Sequence, residues 1–285
     1  MAYQQTRKVL KKEGLAPKKK LGQNFLVHQH TADRIAGAAD LDKTDTVIEV
    51  GVGLGALTMP LASMAAKVIG IEADSGIVRM HQEQEDLPAN VVLRHEDILK
   101  TNLPALRDET QARLKIVANL PYSISTPFLF RLIEFSDCIH FAVVMVQKEV
   151  AERLMAKPGT KAYGAPTILL ASCATVEPLL LVKPAEFHPR PKVDSLVIKI
   201  TFFPSPERLQ SIEAYDKRLF KRVVNAAFGQ RRKTLVNALS ASFKATDKQE
   251  IAQCIQDADI DPGIRAEKLE LEDFIRLSSF LKNRE

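Results

Sequence analysis

Cysteine is scarce in this chain. Cys138, Cys173 and Cys254 are odd in number, far apart and without a CxxC pair. That argues against a disulfide scaffold or a thiolate zinc site and fits a reducing cytoplasm. The six histidines form no HExxH motif, and His28 and His30, two apart, are expected to point different ways, so no metal site is predicted. No apolar run is long enough to span a bilayer, which argues against a membrane role. The N-terminus has no apolar stretch and is not a secretory signal. Its shortage of acids leaves a transit peptide open, although the segment reads better as part of the mature protein. Internal repeats and low-complexity segments are also missing.

What is present is an ordinary globular composition over 285 residues, 46% hydrophobic and 26% charged, enough for a large domain plus a small one. The net charge of +5 means little by itself, but its distribution is uneven. The first twenty residues hold Arg7, Lys8, Lys11, Lys12, Lys18, Lys19 and Lys20 against one acid, Glu13. A second cluster, Lys217, Arg218, Lys221, Arg222, Arg231, Arg232 and Lys233, holds no acid, and 218, 221 and 222 share one helical face. Either cluster alone reads as a solvated face. Two of them flanking one domain point to a polyanion, most often a phosphate polymer.

Between Thr46 and Ile200 short runs rich in Val and Ile alternate with helical patterns: TVIEV (46–50), VIGIEA (68–73), VVLRH (91–95), KIVAN (115–119) and HFAVVMV (140–146). The absence of polar alternation predicts parallel strands buried on both faces. VEPLLLV (176–182) and SLVIKITF (195–202) close the sheet. The predicted architecture is a doubly wound, mostly parallel seven-stranded α/β domain. FFPSPE (202–207) is a Pro-marked stop, after which the pattern is all-helical. The expected domains are 1–206, with a basic N-terminal segment at 1–28, and a small helical domain at 207–285. A short amphipathic helix carrying Asp33, Ile35 and Ala36 precedes the first strand.

EVGVGLGALT (49–58) is a Gly-rich turn from strand to helix, where backbone N–H groups can meet a ligand. No Gly-Lys-Ser/Thr follows, so it is not a P-loop. Gly51-x-Gly53-x-x-Ala56 with Glu72 about twenty residues on fits a nucleoside cofactor whose ribose hydroxyls donate to the acid. That register suits NAD and S-adenosylmethionine alike. Gly55 is one position early for a pyrophosphate loop, and Glu49 before the first glycine suits a tail carrying an amine; both tilt toward S-adenosylmethionine. Asp97 either accepts from an adenine amine or caps a helix.

KIVANLPYSIS (115–125) ends a strand on an amide, an extended pair and a ring. Asn119 offers a side-chain carbonyl. Leu120 precedes Pro121, so it is held extended with its carbonyl outward. Tyr122 offers a flat face to a base swung out of its stack. Together they would accept both hydrogens of an aromatic amine and steer its lone pair, acting by orientation, since Asn is no base. The alternative is a Pro-terminated strand with a core tyrosine. In FHPRPKVDS (187–195), Phe187 would supply the opposite stacking face, with Arg190 and Lys192 toward phosphates; a Pro-rich crossover with a buried Phe is the competing reading.

KKKLGQNFL, EVGVGLGALT, IEAD, HED, NLPY, KAYG, FHPRPKVDS, FGQRRKTLVNAL and IRAEKL together resemble the KsgA-type small-subunit ribosomal RNA adenine dimethyltransferases over nearly the whole chain. NLPY with QNFL and FxPxPxVxS is highly specific, whereas the glycine loop alone is not. The resemblance implies a Rossmann-like class I fold binding S-adenosyl-L-methionine. It places Asn24 and Leu26 on the cofactor, Gly51 beneath its methionine portion with Gly53 in the same loop, Glu72 on the ribose and Asp97 on the adenine. Asn119 would touch cofactor and target amine, and Tyr122 and Phe187 would hold the target base. Arg190, Lys192, Arg222, Arg231, Arg232 and Lys233 become the expected RNA contacts. The implied substrate is a pair of adjacent adenosines in the 3′-terminal hairpin loop of small-subunit rRNA, each methylated twice within a partly assembled subunit. The enzyme would be a cytoplasmic monomer that also serves as a late assembly checkpoint. Rival readings are an adenine methyltransferase acting on large-subunit rRNA or DNA, and an assembly factor that binds RNA without needing catalysis. Two departures stand out: Val52 where the family usually has proline, and Ala165-Pro166 where Arg-Leu commonly follows KAYG.

Overall fold

The structure, a computed structural model, describes residues 3–17, 22–203 and 215–282. Lys18, Lys19 and Lys20 of the basic N-terminus, and the predicted domain boundary at 206/207, lie outside the described residues. The chain runs α1 (Tyr3–Lys12), β1 (Phe25–Leu26), α2 (Gln29–Gly37), β2 (Thr46–Val50), α3 (Thr58–Met64), β3 (Lys67–Glu72), α4 (Ser75–Gln84), β4 (Val91–His95), α5 (Leu103–Thr110), β5 (Leu114–Asn119), α6 (Ser125–Glu134), β6 (Ile139–Gln147), α7 (Lys148–Leu154), α8 (Ala165–Ala171), β7 (Ala174–Val182), β8 (Phe187–His188), β9 (Ser195–Phe202), α9 (Lys217–Gly229), α10 (Leu235–Ser242), α11 (Lys248–Asp257) and α12 (Leu271–Lys282).

The seven longer strands form one sheet in the order β4-β3-β2-β5-β6-β9-β7. β2 pairs in parallel with β3 and β5, β3 with β4, and β5 with β6, while β9 runs antiparallel to β6. The central strands β2, β3 and β6 are buried along nearly their whole length. That is why Val and Ile follow one another without polar alternation; each such side chain contributes about 1.5–3 kcal/mol by leaving water. The edge strands β4 and β7 are the least buried, and Pro178 sits in β7, the kind of strand in which sheets tolerate proline. The strand order reverses at β2, whose neighbour on one side is β3 and on the other β5. The crevice beyond the carboxyl ends of these strands is where doubly wound sheets bind ligands. Val50 pairs with Ala118, so the glycine loop and NLPY leave adjacent strands at the same level.

Two further pieces were not legible in the sequence. β1 and β8 form a two-stranded antiparallel ribbon, pairing Phe25 with His188 and Leu26 with Phe187. It joins QNFL to FHPRP across some 160 residues of chain. The second piece is the domain division. The described residues up to Ala151 together with Thr175–Phe203 form one compact unit, and Glu152–Ala174 joins the described residues from 215 onward in the other. The expected split into 1–206 and 207–285 is corrected to that extent. The cause lies in the second unit's packing. Tyr163 of KAYG is buried, donates its hydroxyl to Leu269 O at 2.7 Å and meets the Phe228 ring edge-on. Phe228 in turn lies against Phe274.

Both departures from the family pattern have a local explanation. A Cβ at Gly70 of β3 would stand 2.6 Å from Val52 Cγ2, so the valine fills space that the neighbouring glycine leaves open. Ala165 and Pro166 open α8 behind Gly164, a first-turn position where proline's missing N–H costs nothing.

Candidate active site

A cavity of about 180 Å³ opens at the switch point, walled by QNFL, the glycine loop, the ends of β3 and β4, and NLPY. Asn24, Leu26, Gly51, Gly53, Glu72, Asp97, Asn119 and Leu120 all line it. The loop needs its glycines. Gly53 has φ +55°, and a Cβ there would press on the Phe25 ring at 3.3 Å. Gly51, at φ +80°, lies in a region that side-chain-bearing residues rarely enter.

Two acids give the cavity its electrostatics. Glu72 is nearly buried; Oε2 accepts from Gly53 N at 3.0 Å and Oε1 from Asp74 N at 2.8 Å. Burial raises its pKa, and those backbone N–H groups work against the shift. Glu72 thus ties the glycine loop to the end of β3, with lone pairs left for further donors. Glu49 is fully buried, and neither carboxylate oxygen has a hydrogen-bond partner among the described residues. Burial pushes its carboxyl up to about 8; Thr58 beside it opposes the shift without closing a hydrogen bond of regular geometry, and Glu72 adds to it. A buried carboxylate without partners lacks a cationic donor. The ammonium of S-adenosylmethionine is such a donor, and its ribose hydroxyls are suitable donors to Glu72. Asp97 Oδ1 accepts from Leu99 N at 2.9 Å, so it caps a turn while also lining the cavity. Phe25, Leu26, Ile77 and Ile98 supply the cavity's apolar walls.

The N-terminal ribbon orients the amide at the centre. Asn119 Nδ2 donates to Asn24 O at 3.0 Å, which leaves Oδ1 as an acceptor. Asn24 is itself held, its Nδ2 donating to Gly22 O. Gln23 Nε2 donates to Asp74 Oδ2 at 2.9 Å, tying the same segment to the start of α4. Leu120 gives its N–H to Met145 O, and its carbonyl takes no hydrogen bond from the described residues. Tyr122 is half-buried beside the cavity, its hydroxyl 2.6 Å from Ser195 Oγ; burial raises its pKa and that bond opposes the rise.

Phe187 departs from expectation. It is fully buried in the core with Leu26, Val143, Met145 and Val197 and does not line the cavity. Pairing with Leu26 in the ribbon turns its ring inward, so the competing reading, a Pro-rich crossover with a buried Phe, describes this structure. Arg190 and Lys192 on the following loop are exposed. In the helical unit Arg232 and Lys233 are exposed, while the Arg222 guanidinium lies 4.2 Å from the Phe243 ring centre. Arg231 is committed elsewhere: its Nη2 donates to Lys161 O and Tyr163 O, at 2.8 and 3.1 Å.

Sequence reasoning missed Ser195, whose only signal was its place at the end of FHPRPKVDS. It also missed His81, which had none. His81 Nε2 donates to Gly53 O at 2.8 Å and Nδ1 pairs with Asp86 at 2.7 Å, bracing the loop from beneath. Among the described residues no group of three or more His, Cys, Asp or Glu side chains is placed to hold a metal ion, and no helix is long and apolar enough to cross a membrane.

The sheet order with β9 antiparallel to β6, the loop after β2, the acid ending β3 and the motif after β5 define a class I methyltransferase fold using S-adenosylmethionine. Within that class, residues 14–283 match the family described as Ribosomal RNA adenine dimethylase, and the chain belongs to that family. It is 50% identical to Ribosomal RNA small subunit methyltransferase A of Desulfotalea psychrophila, covering 98% of this chain and 96% of the relative. Identity to the protein of the same description from Lactiplantibacillus plantarum is 41%, covering 97% and 94%. The fold is similar to that of a dimethyladenosine transferase from Plasmodium falciparum, with TM-score 0.72, 28% identity and coverage of 91% and 98%. It is also similar in fold to the 23S rRNA methyltransferase ErmE, with TM-score 0.65, 23% identity and coverage of 91% and 100%.

Proposed function

We propose that this protein methylates the exocyclic N6 amines of two adjacent adenosines in the 3′-terminal hairpin loop of small-subunit rRNA, twice each. We take the acceptor to be a partly assembled subunit and the enzyme a cytoplasmic monomer. The observation that carries the chemistry is the Asn24–Asn119 hydrogen bond. With Nδ2 spent on Asn24 O, Asn119 can only accept at the other end of its amide. Beside it the Leu120 carbonyl is a second acceptor, fixed by its own N–H on Met145 and by the proline that follows.

Two acceptors take the two hydrogens of an adenine amine and turn its lone pair out of conjugation with the ring. When bound, S-adenosylmethionine supplies a methyl group on a sulfonium, which departs as a thioether when the new N–C bond forms. Glu49 would hold its ammonium, Glu72 its ribose and Asp97 its adenine. Asn119 is not a base, so the amine proton passes to water. Tyr122, held by Ser195, offers one ring face to the flipped base. Exposed Arg232 and Lys233, with Lys217, Arg218 and Lys221 on one acid-free face of α9, support RNA docking by the helical unit.

The test is methyl transfer from labelled S-adenosylmethionine to unmethylated small subunits, beside naked rRNA and adenine-containing DNA, read by nucleoside mass analysis. Dimethyladenosine from subunits alone is the expected result. Equal transfer to DNA would overturn the substrate reading, and transfer to naked rRNA alone would overturn the assembly-state reading.

A further inference from the structure

The N-terminal helix α1 has two different faces. Thr6 and Leu10 are buried, whereas Lys8, Lys11 and Lys12 are exposed. Positions 8, 11 and 12 are spaced i, i+3, i+4, so the three ammoniums share the face opposite Leu10. No acid occurs before Glu13, and among the described residues only Lys12 has an acidic partner, Glu13 at 3.5 Å. That pair joins a lysine side chain 81% exposed to a half-buried acid, so the Lys12 ammonium still faces solvent. The inner face does something else. Leu10, with Leu15 just beyond the helix, packs against Phe25, Leu54, Ile77 and Met80. Phe25, Leu54 and Ile77 are also walls of the cofactor cavity. Leu15 reaches so close to the start of α4 that a Cβ on Gly76 would come within 2.9 Å of it. One short helix therefore backs the cavity wall with its apolar side and presents an acid-free cationic face to solvent.

We propose that the Lys8–Lys11–Lys12 face of α1 docks on the phosphate backbone of the substrate RNA, and that this contact holds the cavity wall behind Phe25 closed over the cofactor. The inference rests on the RNA substrate proposed above and adds to it a second RNA-docking surface and a coupling between the two ligands. Coupling follows from linkage. RNA that binds α1 in its packed position favours the packed state, and the packed state keeps Phe25 against Gly53. By reciprocity, cofactor raises RNA affinity by the same factor by which RNA raises cofactor affinity. The wall residues are apolar, so the cofactor alone needs no charge on α1. The lysines matter only when RNA is present.

The experiment compares wild-type protein with a Lys8→Gln/Lys11→Gln/Lys12→Gln variant and, separately, with Leu10→Ala. Dissociation of labelled S-adenosylhomocysteine is followed with and without a synthetic RNA hairpin bearing two adjacent loop adenosines. RNA affinity is measured across a salt series. In the wild type, RNA is expected to slow cofactor release at least several-fold. The triple variant is expected to release cofactor at the wild-type rate without RNA, to lose the slowing when RNA is added, and to show a salt slope shallower by roughly two to three units. Leu10→Ala is expected to speed release in both conditions. An unchanged slope and intact slowing in the triple variant, with wild-type RNA binding present, would overturn the proposal alone. Failure of the wild-type protein to bind the hairpin or small subunits would overturn it together with the RNA reading on which it rests.

Discussion

Asn119 Nδ2 donates to the backbone carbonyl of Asn24 at 3.0 Å, across 95 residues of sequence. The bond decides which end of the amide is left over, and a catalytic role for Asn119 depends on that choice. Asn119→Asp keeps the size but sets a carboxylate oxygen against the Asn24 carbonyl. Both Asn119→Asp and Asn119→Ala are expected to lower single-turnover methyl transfer about a hundred- to a thousand-fold, the usual cost of losing one aligned polar group at a reacting centre. Thermal melts should remain cooperative and near wild type. Turnover of Asn119→Asp close to normal would remove the amide-orientation argument.

Tyr122 and Ser195 form the second aligned pair. Ser195→Ala leaves a half-buried phenol without its partner, a loss of about 0.5–1.5 kcal/mol. The expected signature is a lower kcat with cofactor affinity unchanged, since Ser195 does not line the cavity. Tyr122→Phe combined with Ser195→Ala should cost less than the sum of the two, because both remove the same bond. Strict additivity in that cycle would show that the hydroxyls act separately.

The Glu49 carboxyl carries a pH prediction. Burial raises it from 4.5 to about 8 in the folded protein. Between those values the folded state holds a proton that the unfolded chain releases. Its contribution to stability is therefore full below about pH 4.5, declines as pH rises and is lost above about pH 8. Without cofactor, wild-type Tm is expected to fall more steeply than that of Glu49→Gln between about pH 5 and about pH 8.5. Pairing with an ammonium favours the ionised carboxylate, so cofactor affinity should strengthen toward pH 8 in the wild type and stay flat in the variant. Parallel Tm profiles for the two proteins would place the proton elsewhere.

Val52 and Gly70 are matched in shape. Gly70→Ala would drive a Cβ to 2.6 Å from Val52 Cγ2 and is expected to cost about 1–3 kcal/mol. Val52→Ala should relieve most of that cost in the double variant. Urea denaturation of the four proteins measures the coupling, and a full penalty in the double variant would show that the clash lies elsewhere.

Sequence reading succeeded where one element's own pattern decides the outcome. The seven apolar runs are the seven strands of the main sheet; burial on both faces leaves a local signature in the inner strands β2, β3, β5 and β6, while the edge strands β4 and β7 are mostly exposed or half-buried. It fell short where distant segments meet. Nothing in QNFL or FHPRP says that Phe25–Leu26 and Phe187–His188 pair, since two residues carry no periodicity. That pairing is what turns Phe187 inward and sets Asn24 beside Asn119. The same limit hid the allegiance of Glu152–Ala174, which rests on Tyr163 reaching Leu269 and Phe228. Cationic residues were legible as a cluster, but not which of them were already occupied.

Arg231, Arg232 and Lys233 separate those two kinds of cation. Arg231 joins the backbone carbonyls of Lys161 and Tyr163, with Glu267 3.9 Å away. Its neighbours Arg232 and Lys233 are exposed. Arg231→Ala is expected to cost about 1–3 kcal/mol of stability, since two carbonyls lose a charged donor. It should change the salt dependence of RNA binding little. The Arg232→Ala/Lys233→Ala variant is expected to melt like the wild type while its salt slope flattens by roughly one unit per lost phosphate contact. Chemical denaturation and a salt titration on the same preparations give both readouts. A flattened slope for Arg231→Ala with normal stability would return it to the RNA-contacting set, because a guanidinium that lets go of Lys161 and Tyr163 without cost was never holding that loop.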